Sequence, residues 1–231
     1  MLRRSGRSEL EAVDHRLVRH KGADDIIVEN LRQNKMMAQT RRLVLASTSP
    51  YRKALLERFG LAFEVAAPHV DERALRGESP RDTALRLSGL KAQAVRSGHR
   101  DALIIGSDQV ATSEGRTLGK PGDHATAVRQ LRALSGKTAD FHTAVTLLDA
   151  ANSQSQSRVV ACRVRFRALD DARIESYLRR EQPYDCAGSA RIEGLGIVLV
   201  AGVETEDPTS LIGLPLIALT EMLERAGLPI V

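Results

Sequence analysis

Residues 43–60 read LVLASTSPYRKALLERFG, and this stretch decides the fold class. Leu43, Val44, Leu45 and Ala46 form a short continuous apolar run, the pattern of a strand covered on both faces. Ser47-Thr48-Ser49-Pro50 follows at once. Ser49 suits a helix N-cap, and Pro50 suits the first helical position because the N–H it lacks would have no partner there. Ala54, Leu55 and Phe59 supply an apolar helix face, and Gly60 ends it. A buried strand turning directly into a helix is the building unit of an α/β sheet.

Working outward, the alternation continues. Residues 63–66 read as a strand, and Ser79-Pro80 repeats the cap-then-proline start of a helix running to about residue 96. Residues 102–111 read as a strand ending in Gly106-Ser107-Asp108-Gln109, and residues 123–134 as a helix. Two β stretches, 141–148 and 158–166, flank a turn rich in Ser and Gln. A helix over 170–180, a strand over 196–203 and a last helix over 216–225, closed by Gly227, complete the pattern. Strands alternating with helices, plus one hairpin, predict α/β with a mixed sheet.

Composition bounds the function. The 231 residues are 42% hydrophobic and 27% charged, ordinary for a globular chain, and no apolar run approaches the ~18–20 residues of a membrane span. Four Phe, three Tyr and no Trp are few aromatics for base stacking, so no nucleic acid is expected as a partner. The net charge of +5 is either a mildly basic solvated surface or a focused site for an anion such as a phosphate ester. Cys162 and Cys186 form no CxxC pair; they read as two buried, reduced thiols of a cytoplasmic protein, and no zinc site is expected. Residues 1–40 are polar and rich in both charges. Arg3, Arg4 and Arg7 lack the apolar stretch of a secretion signal, and Glu9, Glu11, Asp14, Asp24 and Asp25 have the wrong charge for a transit peptide. With Met36 and Met37 just ahead of the first strand, residues 1–40 read as an extension, disordered or preceding the natural start, and 41–231 as the working domain.

Four places carry candidate chemistry. Ala46–Lys53 joins a strand end to a helix start, with hydroxyls, free N–H groups, Arg52 and Lys53. It is either an anion cradle or an ordinary capped helix with exposed cations. Asp71-Glu72 is either a solvated acidic turn or, beside a third carboxylate, a site for a hard cation such as Mg²⁺. Asp108, at the end of an apolar strand, either caps a turn or activates a water or holds a metal. Lys120, in Gly119-Lys120-Pro121, and Lys91, inside a helix, are each either exposed or phosphate-binding point charges. Ser135-Gly136-Lys137-Thr138 imitates the end of a P-loop, but Leu131 stands where that motif needs Gly. Gly194-Leu195-Gly196 begins like a dinucleotide fingerprint and fails at Leu199.

The combination resembles the Maf (septum formation inhibitor-like) family of nucleoside triphosphate pyrophosphatases. The matching segments are LVLASTSPYRKALLERFG (43–60), VDE (70–72), LKAQAV (90–95), GSDQVA (106–111), LGKP (118–121), LSGKTADFHTAV (134–145), CAGSARIEGLGIVLV (186–200) and LIGLPLIAL (211–219). The resemblance implies an elongated, Maf/ITPase-like α/β fold with helices about a mixed sheet and a central cleft. It further implies a homodimer and hydrolysis of a nucleoside triphosphate to monophosphate and pyrophosphate with a divalent cation, Mg²⁺ or Mn²⁺. By position, Asp108 matches the family's proton acceptor, Ser47, Arg52, Lys91 and Lys120 its phosphate contacts, and Glu72, with Asp71 beside it, its acidic metal ligand.

Three further positions bear on the substrate. The branch acting on ordinary pyrimidine nucleotides has Arg, Thr and Gln where this chain has Tyr51, Gln109 and Glu193. The set here looks like the 7-methyl-GTP pyrophosphatase branch. N7-methylguanine carries a positive charge, which an aromatic face attracts by about 0.5–2 kcal/mol and a carboxylate offsets. The alternatives are dTTP or UTP as substrate, or a non-catalytic binding role in cell division.

Overall fold

In the computed structural model, which describes residues 41–231, the opening unit forms as its sequence requires. Strand β1 (Leu43–Ala46) is buried along its whole length and leads into helix α1 (Pro50–Glu57), whose N-cap Ser49 accepts from the Arg52 amide. Strand β2 (Glu64–Ala66) follows, then helix α2 (Pro80–Ala94), capped by Ser79. The long strand β3 (Leu103–Ser113) is succeeded by the short β4 (Arg116–Leu118) and by helix α3 (His124–Leu134), capped by Asp123. Strands β5 (Thr138–Asp149) and β6 (Ser155–Phe166) make the expected hairpin, and helix α4 (Asp171–Glu181) starts at the cap Asp170. Strand β7 (Val200–Thr205) and helix α5 (Leu216–Arg225) close the order. The expectations for residues 1–40 lie outside the described residues.

The seven strands form one mixed sheet in the order β2-β1-β3-β5-β6-β7, with β4 paired to β3. β1 runs parallel to both β2 and β3, and the other pairings are antiparallel. Both faces of β1 are covered. Leu43 and Leu45 pack with Leu55, Leu56, Leu219 and Leu223 of α1 and α5, while Val44 and Ala46 meet Ala92 of α2. That double cover is why β1 reads as a continuous apolar run instead of alternating. β6 has one covered face: Val160, Cys162, Val164 and Phe166 are buried between exposed Ala161, Arg163 and Arg165. Cys162, Val164 and Phe166 join Leu131, Leu134, Ile174 and Leu178 of α3 and α4 in a second core.

Three expectations change. The strand expected over 102–111 spans 103–113, so Gly106–Gln109 lies within it and not at its end: β5 pairs along it to Thr112, Gly106 opposite Thr146 and Gln109 opposite Thr143, and β4 pairs with its last three residues. The strand expected over 196–203 begins only at Val200, and Leu195–Leu199 is a 3₁₀ turn. Its backbone bonds elsewhere, the Leu195 amide to Glu181 Oε2 at 2.9 Å and the Gly196 amide to the Arg191 carbonyl at 2.9 Å. Of the two free thiols, Cys162 is buried and Cys186 only half-buried, at the edge of a cleft.

Candidate active site

The unequal length of the parallel strands creates the site. Ala46 at the end of β1 pairs with Gly106, so β3 carries Ser107 and Asp108 past the C-terminal end of its neighbour. Ligands of open α/β sheets bind at such an edge. Alternation along β3 puts Gly106 and Asp108 on one face, Ser107 and Gln109 on the other. Gly106 lies directly beneath α2, where an added Cβ would stand 2.1 Å from the Ser88 carbonyl oxygen. This close approach lowers Lys91 of α2 onto Asp108: Nζ donates to Oδ1 at 2.7 Å, and Glu72 Oε1 lies 2.7 Å from the same nitrogen. Two carboxylates from distant segments thus share one ammonium.

Burial pushes the Asp108 carboxyl above the usual carboxylate range, although Lys91 and Arg52 pull it down. Glu72 is also driven up by burial, but Lys91, Arg52 and Lys120 together hold it below its ordinary value. Burial lowers Arg52, which Asp108 and Glu72 partly oppose. The Arg52 guanidinium is tethered by Nε donating to the Gly213 carbonyl at 2.8 Å, an oxygen that the Ser107 hydroxyl also meets at 2.8 Å. The turn carrying Gly213 is itself fixed, since Asp207 accepts from the Thr209 and Ile217 amides. Ser47 is buried and accepts from the Ser49 amide, which shapes the loop between β1 and α1.

The far end of the cleft has a different character. Tyr51 Oη lies 3.1 Å from both oxygens of Asp185, and the Arg191 guanidinium sits 5.4 Å from the centre of its ring. Burial, then Cys186 and Asp185, raise the Tyr51 phenol, so it stays a neutral donor. Burial likewise pushes the Cys186 thiol up to about 11, so it is not a ready nucleophile. Arg191 donates to Glu181 at 3.1 Å and lies 3.5 Å from Glu193. Gln109 Nε2 donates to Thr143 Oγ1 at 2.9 Å and to the Ser210 and Leu211 carbonyls at 3.0 and 3.1 Å, so its amide anchors the 208–212 turn.

One cleft of about 300 Å³, room for a nucleotide-sized ligand, is lined by Ser47, Tyr51, Arg52, Glu72, Lys91, Asp108, Gln109, Lys120 and Glu193. Asp71 is the candidate that the fold leaves outside. It is exposed and held by Arg73, whose Nε lies 2.9 Å from it, and this contact lowers its pKa to about 2. Lys53 also points elsewhere, to Glu57. Asp185 and Arg191 went unsingled by sequence, because only the folding of 182–194 back onto α1 brings them to Tyr51. The discarded P-loop imitation is a helix-to-strand turn whose Lys137 pairs with Glu114.

A buried acid and clustered cations stand together in one cleft at the open edge of a mixed α/β sheet, an arrangement whose charge suits an anionic ligand. The chain belongs to the family of Maf-like proteins, whose profile matches residues 42–226. Among similar proteins is the 7-methyl-GTP pyrophosphatase of Cupriavidus pinatubonensis, 60% identical over 81% of this chain and 94% of that one. Those of Thiobacillus denitrificans and Cupriavidus metallidurans are 57% and 54% identical, covering 81% and 84% of this chain and 94% and 98% of theirs. Among solved structures, the Staphylococcus aureus Ham1 protein aligns with a TM-score of 0.39 at 12% identity, over 55% of this chain and 72% of that one.

Proposed function

We propose that this chain hydrolyses 7-methyl-GTP to 7-methyl-GMP and pyrophosphate. The observation that carries the reading is the division of one cleft: Asp108, Lys91, Glu72, Arg52 and Lys120 at one end, Tyr51 and Glu193 at the other. The names of its close relatives support the substrate. In this reading the triphosphate lies across Arg52, Lys91, Lys120 and the Ser47 loop, and the base sits by Tyr51, Glu193 and Gln109. Asp108 takes a proton from water as its oxygen bonds to the α-phosphorus. The bridging P–O bond breaks, and pyrophosphate leaves with that electron pair. Cations fixed in advance around the developing charge lower the barrier.

A divalent cation fits the donor set. Glu72 and Asp108 already converge on one positive charge, and both offer hard oxygen ligands. Among the described residues no cluster of three or more His, Cys, Asp or Glu forms, so a bound Mg²⁺ or Mn²⁺ would have to draw its remaining ligands from phosphate and water. When bound, the cation neutralises phosphate charge. Asp71 is not needed in this set.

Assaying 7-methyl-GTP, GTP, dTTP and UTP with Mg²⁺ and Mn²⁺ tests the proposal. Equimolar 7-methyl-GMP and pyrophosphate are expected, with chelation abolishing release. No product from any nucleotide would leave a binding role. Tyr51→Arg with Glu193→Gln is expected to shift preference toward dTTP or UTP, and a double variant with unchanged preference refutes the assignment of the base end. The reading extends to a cytoplasmic homodimer acting on free nucleotides. Exposed Ile197, Val198 and Val203, in and beside β7, support the dimer, which light scattering checks. No helix among the described residues is long and apolar enough to cross a membrane.

A further inference from the structure

The base end holds a carboxylate that the three specificity positions do not include. We propose that Asp185 is a further specificity-determining residue, favouring nucleotides whose base carries a positive charge. The inference rests on the reading that Tyr51 and Glu193 receive the base. Asp185 lines the cleft, and its hydrogen-bond partners are neutral: the Tyr51 hydroxyl at 3.1 Å and the Cys186 thiol at 3.6 Å.

The neighbouring acids differ in this respect. Glu181 binds Arg191 at 3.1 Å, and Glu193 lies 3.5 Å from the same guanidinium, so one cation serves both. Of the carboxylates around Tyr51, Asp185 therefore has its charge least offset before ligand arrives. It acts on a cationic base in two ways. Its negative charge attracts the ring directly. By accepting a hydrogen bond from the Tyr51 hydroxyl it also pushes electron density into the phenol ring, which strengthens that ring's pull on a cation, already shared with Arg191. Arg52, Lys91 and Lys120 at the other end hold the anionic tail, so the cleft is charged in opposite senses at its two ends. A nucleotide with a positive base matches both ends, and one with a neutral base matches one.

The test compares kcat/KM for 7-methyl-GTP and GTP in wild type, Asp185→Asn and Asp185→Glu. Asn keeps an acceptor for Tyr51 and removes the charge. The ratio between the substrates is expected to fall roughly two- to fivefold in Asp185→Asn, the size of a solvent-screened charge or cation–π contribution, and to be retained largely in Asp185→Glu. Merely structural damage lowers both substrates together and leaves the ratio alone; that outcome, or an unchanged ratio, overturns the role of Asp185. A wild-type enzyme that does not distinguish the two substrates overturns the underlying assignment of the base end, and this inference with it. Should Asp185→Asn not fold, the wild-type ratio is measured against salt. Screening should reduce it, and a flat response overturns the proposal.

Discussion

Asp108 is a carboxylate placed where its charge is disfavoured: buried, beside another acid, and relieved chiefly by Lys91. Burial raises its pKa, which strengthens the ionised form as a base. The same shift sets the sign of its effect on stability. A carboxyl with a raised folded pKa favours the fold when protonated, and that contribution is lost as pH rises from about 4, its unfolded value, through the folded one. Asp108→Asn removes the titration. Its turnover is expected to fall about 10²–10⁴-fold, measured as pyrophosphate release, with the circular dichroism spectrum retained. Its Tm should gain on wild type as pH is raised from 4 to 7. Near-normal turnover would remove Asp108 as the base, and a Tm difference flat with pH would contradict the raised pKa. At this scale the sequence was legible to a degree. Residue type alone left Asp108, Lys91 and Arg52 each with an ordinary structural alternative, the resemblance supplied their phosphate roles, and nothing in the sequence said that Asp71 would turn out to Arg73 while Glu72 turned in to Lys91.

At the scale of elements, the contact that matters is α2 against β3. A helix comes this close to a strand only where the strand lacks a side chain, and Gly106 supplies that gap beneath Ser88 and Ala92. Gly106→Ala must push backbone apart, since the nearest atom to the new Cβ is a carbonyl oxygen and not a movable side chain. Overpacking of this kind costs about 1–3 kcal/mol, so urea denaturation should show that loss. Because the displaced helix carries Lys91, kcat/KM should fall as well. A variant of full stability and activity would show that the approach is not needed. Helix starts were legible from local chemistry, since Ser49-Pro50, Ser79-Pro80, Asp123 and Asp170 each cap by a contact within three residues. The end of β3 and the start of β7 were not. The first depends on pairing with β5 and β4, and the second on Glu181 and Arg191 capturing amides that would otherwise join a ladder.

At the scale of the whole molecule, the cleft is assembled from segments as far apart as Ser47 and Gly213. Family similarity begins at residue 42, and every cleft residue lies beyond it. A chain lacking residues 1–35 is therefore expected to keep its kcat/KM, and lost activity in that variant would assign the extension a role. What the sequence determined alone is what short-range forces decide: the strand-to-helix unit at 43–60, the caps, the periodicity of β6, and the kinds of side chain available to meet a triphosphate. Only the tertiary structure decided that Lys91 would bridge Glu72 and Asp108, that Gln109 would spend its amide on a turn, and that Asp185 and Arg191 would gather at Tyr51. Those outcomes depend on burial and on pairing between distant strands. Such energies exist only once the sheet has closed, so no local stretch of residues contains them.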